Sequence, residues 1–155
     1  RGPMHGRSEI VLEEVLDALD AFVPKPFLVL RAHPKDEPDD YAAYRGEVGQ
    51  LSYDEPPLEV IQAADLVVGM TSMLMTEALL LGRPTLAIVP LESESAWLPG
   101  VRSGITPWAE TPSRLREALG RQLNDPSCQP VAERDDNIKL NSTDTICDFV
   151  ESLLR

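Results

Sequence analysis

Apolar residues recur along this chain in two alternating periods. Val11, Val15, Leu19 and Phe22 fall at helical spacing, and Leu12, Leu16 and Ala18 widen the same stripe. Ser8 reads as the N-cap of that helix, with Glu9 in its first turn. Pro24 and Pro26 stop it. Residues 27–31 (FLVLR) then read as a continuous apolar run, the pattern of a strand covered on both faces. A polar, proline-broken loop is expected over 32–40, a short helix over 41–46 and a short strand over 50–53.

The second half repeats the alternation. The pattern predicts a helix over 57–64, a strand over 66–68, a helix over 73–81 and a strand over 85–89. A long irregular loop over 90–104 leads to a weak strand over 105–108. Thr111 and Pro112 open another helix, with Leu115, Leu119 and Leu123 on one face. Residues 124–141 are polar and loop-like, and a last helix over 142–154 turns Ile146, Phe149, Val150 and Leu153 inward. Alternating helices and apolar strands specify an α/β fold: a Rossmann-like three-layer α/β/α domain with a mostly parallel sheet. Such domains usually open on a strand, whereas this chain opens on a helix. A first strand is therefore expected to be missing. Residues 1–7 read as an N-terminal extension or expression remnant, and 8–155 as one domain.

Length and composition narrow the functional classes. A chain of 155 residues with 43% hydrophobic and 26% charged residues is one globular domain's worth. A formal charge of −12 repels nucleic acid, which binds clustered Lys and Arg. No apolar run is long enough to span a membrane, and no signal peptide is visible, so a cytoplasmic protein is expected. Cys128 and Cys147 are too few for a disulfide framework or a zinc site and read as reduced thiols.

In open parallel sheets, ligands bind outside the carboxyl ends of strands. Three segments should therefore share one edge: Ala32, His33, Pro34, Lys35 and Asp36; Gly69, Met70, Thr71 and Ser72; and the polar stretch 90–95. Thr71 and Ser72 have two readings, as plain caps of the helix that opens at Met73 or as groups that also hold a phosphate. Gly69, without a Cβ, would let a ligand approach the backbone. Neither a Walker lysine nor a dinucleotide glycine fingerprint is present. Glu77 stands in an almost wholly apolar helix, where a carboxylate is costly to bury without donors. Ribose hydroxyls one turn from a bound phosphate would be such donors, and a solvated helix edge is the alternative. His33 reads either as a phosphate contact or proton-transfer group, or as a loop histidine set by local hydrogen bonds. Arg31 and Lys35 add positive charge near it. Glu92, Ser93, Glu94 and Ser95 would meet a sugar's hydroxyls or form a polar surface loop.

The order of these elements, with His33-Pro34 after one strand and ADLVVGMTSMLMTEALLLGRPTLAI later, resembles the C-terminal nucleotide-sugar-binding domain of GT-B glycosyltransferases. UDP-N-acetylglucosamine 2-epimerases and polymer-forming glycerophosphate transferases belong to the same superfamily. The resemblance covers residues 8–123, and the last helix also fits. It implies that Thr71 and Ser72 lie near the donor's diphosphate, that Glu77 accepts from its ribose and that the His33 loop lines the donor cleft. A UDP-sugar is then the expected substrate, with no cofactor and no metal required. GT-B enzymes have two Rossmann-like domains, so an N-terminal domain or a partner chain is expected to complete the site. Alone, the domain is expected to turn over little or nothing. Rival readings are a sugar-nucleotide 2-epimerase-like domain and a non-enzymatic interaction domain, homo-oligomeric through a sheet edge left by the missing strand. A receiver-type phosphoacceptor domain is disfavoured, because Asp65 sits at the amino end of its strand.

Overall fold

A computed structural model describes residues 6–124. The elements run α1 (Gly6–Leu19), β1 (Val29–Arg31), a 3₁₀ helix (Pro38–Tyr44), β2 (Gln50–Ser52), α2 (Pro57–Ala63) and β3 (Val67–Gly69). They continue with α3 (Leu74–Leu80), β4 (Thr85–Ile88), a second 3₁₀ helix (Glu92–Trp97), α4 (Pro99–Arg102), β5 (Trp108–Ala109) and α5 (Pro112–Asn124). The final helix expected over 142–154, Cys128 and Cys147 lie outside the described residues.

The fold is α/β and every paired strand is parallel, as the alternation predicts. The strands form two sheets, β1–β2 and β3–β4–β5. In the larger sheet the side chains alternate between two packed layers. Leu86 and Ile88 of β4 meet Val11, Val15, Ala18 and Leu19 of α1 and Leu115 and Leu119 of α5. Ala87 and Val89 turn the other way, onto Met75 of α3 and Leu98. β4 is buried throughout because it has a neighbour on both edges and on both faces. The smaller sheet uses another side of α1, where Leu12 and Leu16 pack with Tyr44, Val48, Leu28, Leu30 and Leu51. One helix thus straddles both sheets.

Several sequence expectations need correction. Ser8 is no N-cap: α1 already runs from Gly6, and Ser8 is an exposed residue of its first turns. The short helix expected over 41–46 forms three residues earlier, because Pro38 is pre-set for a first helical position. The loop over 90–104 carries the 3₁₀ helix Glu92–Trp97 and α4, the latter opened by Pro99. The weak strand expected over 105–108 is Trp108–Ala109. The run 27–31 contributes only Val29–Arg31 to β1, and these residues are half-buried, not covered on both faces. Phe27 stays 73% exposed, its ring standing where a Cβ on Gly49 would lie.

The Gly-Arg-Pro stop behaves as read. Gly82 takes φ +69°, the left-handed region that suits glycine, and Arg83 N–H donates to the Ala78 carbonyl at 2.9 Å. Pro84 then begins the return into β4. No helix among the described residues is long and apolar enough to cross a membrane.

Candidate functional site

Two contacts tie α1 to the loops of the two sheets. Tyr44, the last residue of the first 3₁₀ helix, donates its hydroxyl to Glu9 and Glu13 of α1, each at 3.1 Å. Arg7, at the start of the same helix, forms a two-pronged ion pair with Glu94 just after β4, with Nη1 at 2.7 Å from Oε1. The end of the first 3₁₀ helix and Glu94 after β4 therefore both meet the N-terminal half of α1. β3 and β4 pair in parallel, so the 69–72 and 90–94 segments leave the same edge of the larger sheet, and the 33–36 segment follows the carboxyl end of β1.

At β1, the loop is held by its own atoms. His33 N–H donates to Asp36 Oδ2 at 2.9 Å, and Asp36 N–H donates back to the His33 carbonyl at 2.9 Å. Tyr41 Oη adds a bond to the same Asp36 Oδ2 at 2.6 Å. Lys35 N–H donates to His33 Nδ1 at 3.1 Å, so a neutral imidazole carries its proton on Nε2. The ring is exposed. Lys35 is exposed too, and among the described residues its ammonium has no ion pair.

Arg31 points into a different network. Its guanidinium donates to the buried Ser52 hydroxyl at 2.8 Å and stands 3.7 Å from Glu55. Ser52 in turn donates to Glu55 at 2.8 Å, and Tyr53 N–H and Gln50 Nε2 complete that carboxylate. The Ser52 bond, above all, holds Glu55 below the usual carboxylate range. Parallel register places Arg31 opposite Ser52, so this group ties the ends of β1 and β2 together.

The turn after β3 is more open. Gly69 and Met70 are half-buried, and Thr71, Ser72 and Met73 are exposed. Ser72 Oγ accepts from Leu74 N–H at 3.2 Å, and the Ser72 carbonyl accepts from Met75 N–H at 3.1 Å. Ser72 thus takes the Leu74 N–H through a local bond just ahead of α3, whose N-cap position is Met73 with no side-chain cap, and Thr71 makes no such bond among the described residues. The N–H groups of Thr71, Ser72 and Met73 likewise face no acceptor among the described residues. Gly69 has an internal reason: an added Cβ would lie 2.8 Å from Met75 Sδ.

Glu77 is exposed, four residues after the exposed Met73 and so on the same side of α3, while Met75 and Ala78 fill the core. The helix is two-sided, and this acid bears no burial cost. Glu94, by contrast, is buried, and the Arg7 hydrogen bonds hold its carboxyl below the ordinary range. It is committed to Arg7 and is not available to a sugar.

Sequence reasoning missed the Arg7–Glu94 pair, which spans 87 positions and leaves no local pattern. It also missed the Ser52–Glu55 group, whose signal was the register of two parallel strands. A hollow of ≈ 330 Å³ is lined by Arg45, Val48, Gly49, Gln50, Leu51 and Tyr53, none of them among the expected site residues. Among the described residues, no group of His, Cys, Asp and Glu is arranged to hold a metal. The class defined by fold and edge is an α/β protein of parallel strands. No protein-family model, curated protein or solved structure matches the chain.

Proposed function

We propose that this chain is the donor-binding half of a GT-B-type glycosyltransferase, holding a nucleotide sugar such as a UDP-sugar at the carboxyl edge of its strands. The observation that supports it is the exposed turn after β3, where the Thr71, Ser72 and Met73 N–H groups meet no acceptor among the described residues while Glu77 stands exposed about one turn further on. In this reading those N–H groups and the Thr71 hydroxyl donate to the diphosphate. Glu77 accepts from the ribose hydroxyls. His33, with Nδ1 already taken by Lys35 N–H, would offer Nε2–H from the loop after β1, and Lys35 would add a positive charge to it. Donors fixed by the fold would stabilise the charge that develops on a departing nucleoside diphosphate without metal. The acceptor and its base would come from a second domain or a partner chain.

Nuclear magnetic resonance titration with UDP, CDP and UDP-N-acetylglucosamine tests the proposal. Amide shifts centred on 69–73 and 77, weakened by Glu77→Ala, are the expected result. Flat spectra at millimolar nucleotide would overturn it.

A further inference from the structure

We propose that the hollow of ≈ 330 Å³ beside β2 is a binding site for a small peptide-like carboxylate, such as an acylated amino acid or dipeptide. Its place on the fold follows from the strand that lines it. Side chains of consecutive strand residues point to opposite faces. A hollow that touches Gly49, Gln50 and Leu51 in succession therefore lies along the edge of β2 and not over one face. The inner edge is taken: Gln50 N–H donates to the Leu28 carbonyl at 3.2 Å, and the Ser52 carbonyl accepts from Ala32 N–H at 3.0 Å. Backbone groups alternate sides along a parallel strand, so the N–H and carbonyl of Leu51 face the outer edge. Among the described residues no strand pairs there.

The lining supplies what such a ligand needs. Leu51 offers a donor and an acceptor on one residue, the pair that an added amide satisfies when it extends a sheet edge. Arg45 supplies a guanidinium, whose fork matches a carboxylate. Its ion pair with Asp39 is loose, at 3.8 Å between side chains 57% and 97% exposed, and exposed pairs of this kind contribute little. A ligand carboxylate can therefore take Asp39's place. Val48 is buried and Leu51 half-buried, and with the Tyr53 ring they give a short apolar side chain a wall to lie against. The volume is at the lower end of the range for small-molecule sites.

The surrounding charge limits the ligand to a single negative group. Burial pushes the Tyr53 phenol up, Arg45 opposes that rise, and Asp40, Asp36 and Asp39 add to it. One cation among these acids suits one carboxylate, whereas a diphosphate would meet repulsion beyond Arg45. The hollow shares no residue with the proposed nucleotide site, and this inference does not rest on that reading.

Titration of the 155-residue chain with N-acetyl-dialanine, followed by amide-resolved nuclear magnetic resonance, is the test. Saturable shifts centred on Gly49, Gln50, Leu51 and Tyr53 are expected, and Arg45→Gln should weaken binding about tenfold or more. The methyl ester, which lacks the charge, and propionate, which lacks the amide, should each bind at least about tenfold more weakly. Flat spectra in this region at millimolar ligand would overturn the proposal, as would an ester that binds as tightly as the acid. The ester comparison uses the unaltered chain, so it decides the matter even where a substitution disturbs folding. Tighter binding of a longer peptide with the same two terminal residues would overturn the small-molecule assignment in favour of a protein terminus.

Discussion

Gly69 separates a packing role from a ligand role, and Gly69→Ala tests which one holds. The added Cβ would lie 2.8 Å from Met75 Sδ and 3.3 Å from Met75 Cγ, closer than carbon and sulfur tolerate. Met75 is 3% exposed and packs with Ala87, Val89 and Leu98, so its thioether has no open space to enter. Overpacking of this kind costs about 1–3 kcal/mol. Met75→Ala alone removes buried methylenes and costs about 2–5 kcal/mol. In that background Gly69→Ala should cost less than about 0.5 kcal/mol, because the clashing atoms are gone and alanine suits a strand better than glycine. The coupling energy of the cycle is therefore about 1 kcal/mol or more, read from urea unfolding of the four proteins by circular dichroism. An equal cost of Gly69→Ala with and without Met75 would refute the packing account. The same double variant, if folded, should still show nucleotide-induced shifts at Thr71 and Ser72, since a methyl directed at residue 75 leaves that turn open.

Three further outcomes concern the polar and ionisable side chains. Thr85 and Thr106 share a buried hydroxyl–hydroxyl bond of 2.8 Å, so Thr85→Val should cost about 1–3 kcal/mol, and adding Thr106→Val should return part of it in thermal unfolding. Glu94 and Glu55 have folded pKa values below the unfolded one of about 4.3, so their stabilisation is complete above that pH and disappears as pH falls through the folded values. Urea midpoints measured from about pH 6 downward should show this acid limb, and Glu94→Gln should flatten it. Tyr41, Tyr44 and Tyr53 are each pushed above the ordinary phenol range, first by burial and, for Tyr41 and Tyr44, next by hydrogen bonds to Asp36 and to Glu9 and Glu13. The folded chain should therefore show little phenolate absorbance near pH 10, and stability should fall as the pH rises past the unfolded value of about 10.

What the sequence disclosed was whatever has a local cause. The stripe Val11, Val15, Ala18 and Leu19 is the face that packs on β4, and Leu115 and Leu119 pack beside it. Gly82 stops α3 because the backbone there needs a positive φ, a requirement written in one residue. The residues of the expected site were legible as strand ends for the same reason. Their partners were not. Glu94 looked like one acid in a polar loop, and only the return of α1 to the end of β4 brings Arg7 to it. Arg31 looked like spare positive charge, yet parallel pairing sets it opposite Ser52 and makes it a tie between strands.

Glu77 shows how the two kinds of information combine. An acid whose neighbours Met73, Leu74, Ala78 and Leu81 are apolar is either buried against donors or set on an exposed helix edge. α3 has room for only one inward face, because Met75 and Ala78 already meet the core beneath β3 and β4. Glu77 and Met73 are left on the outer side, so the carboxylate needs no ligand to explain its stability. Its claim to a function then rests on position alone, about one turn beyond N–H groups that meet no acceptor among the described residues. An exposed carboxylate there contributes little to folding, so Glu77→Ala should leave the unfolding midpoint nearly unchanged. A loss of nucleotide response in that variant would therefore report binding itself.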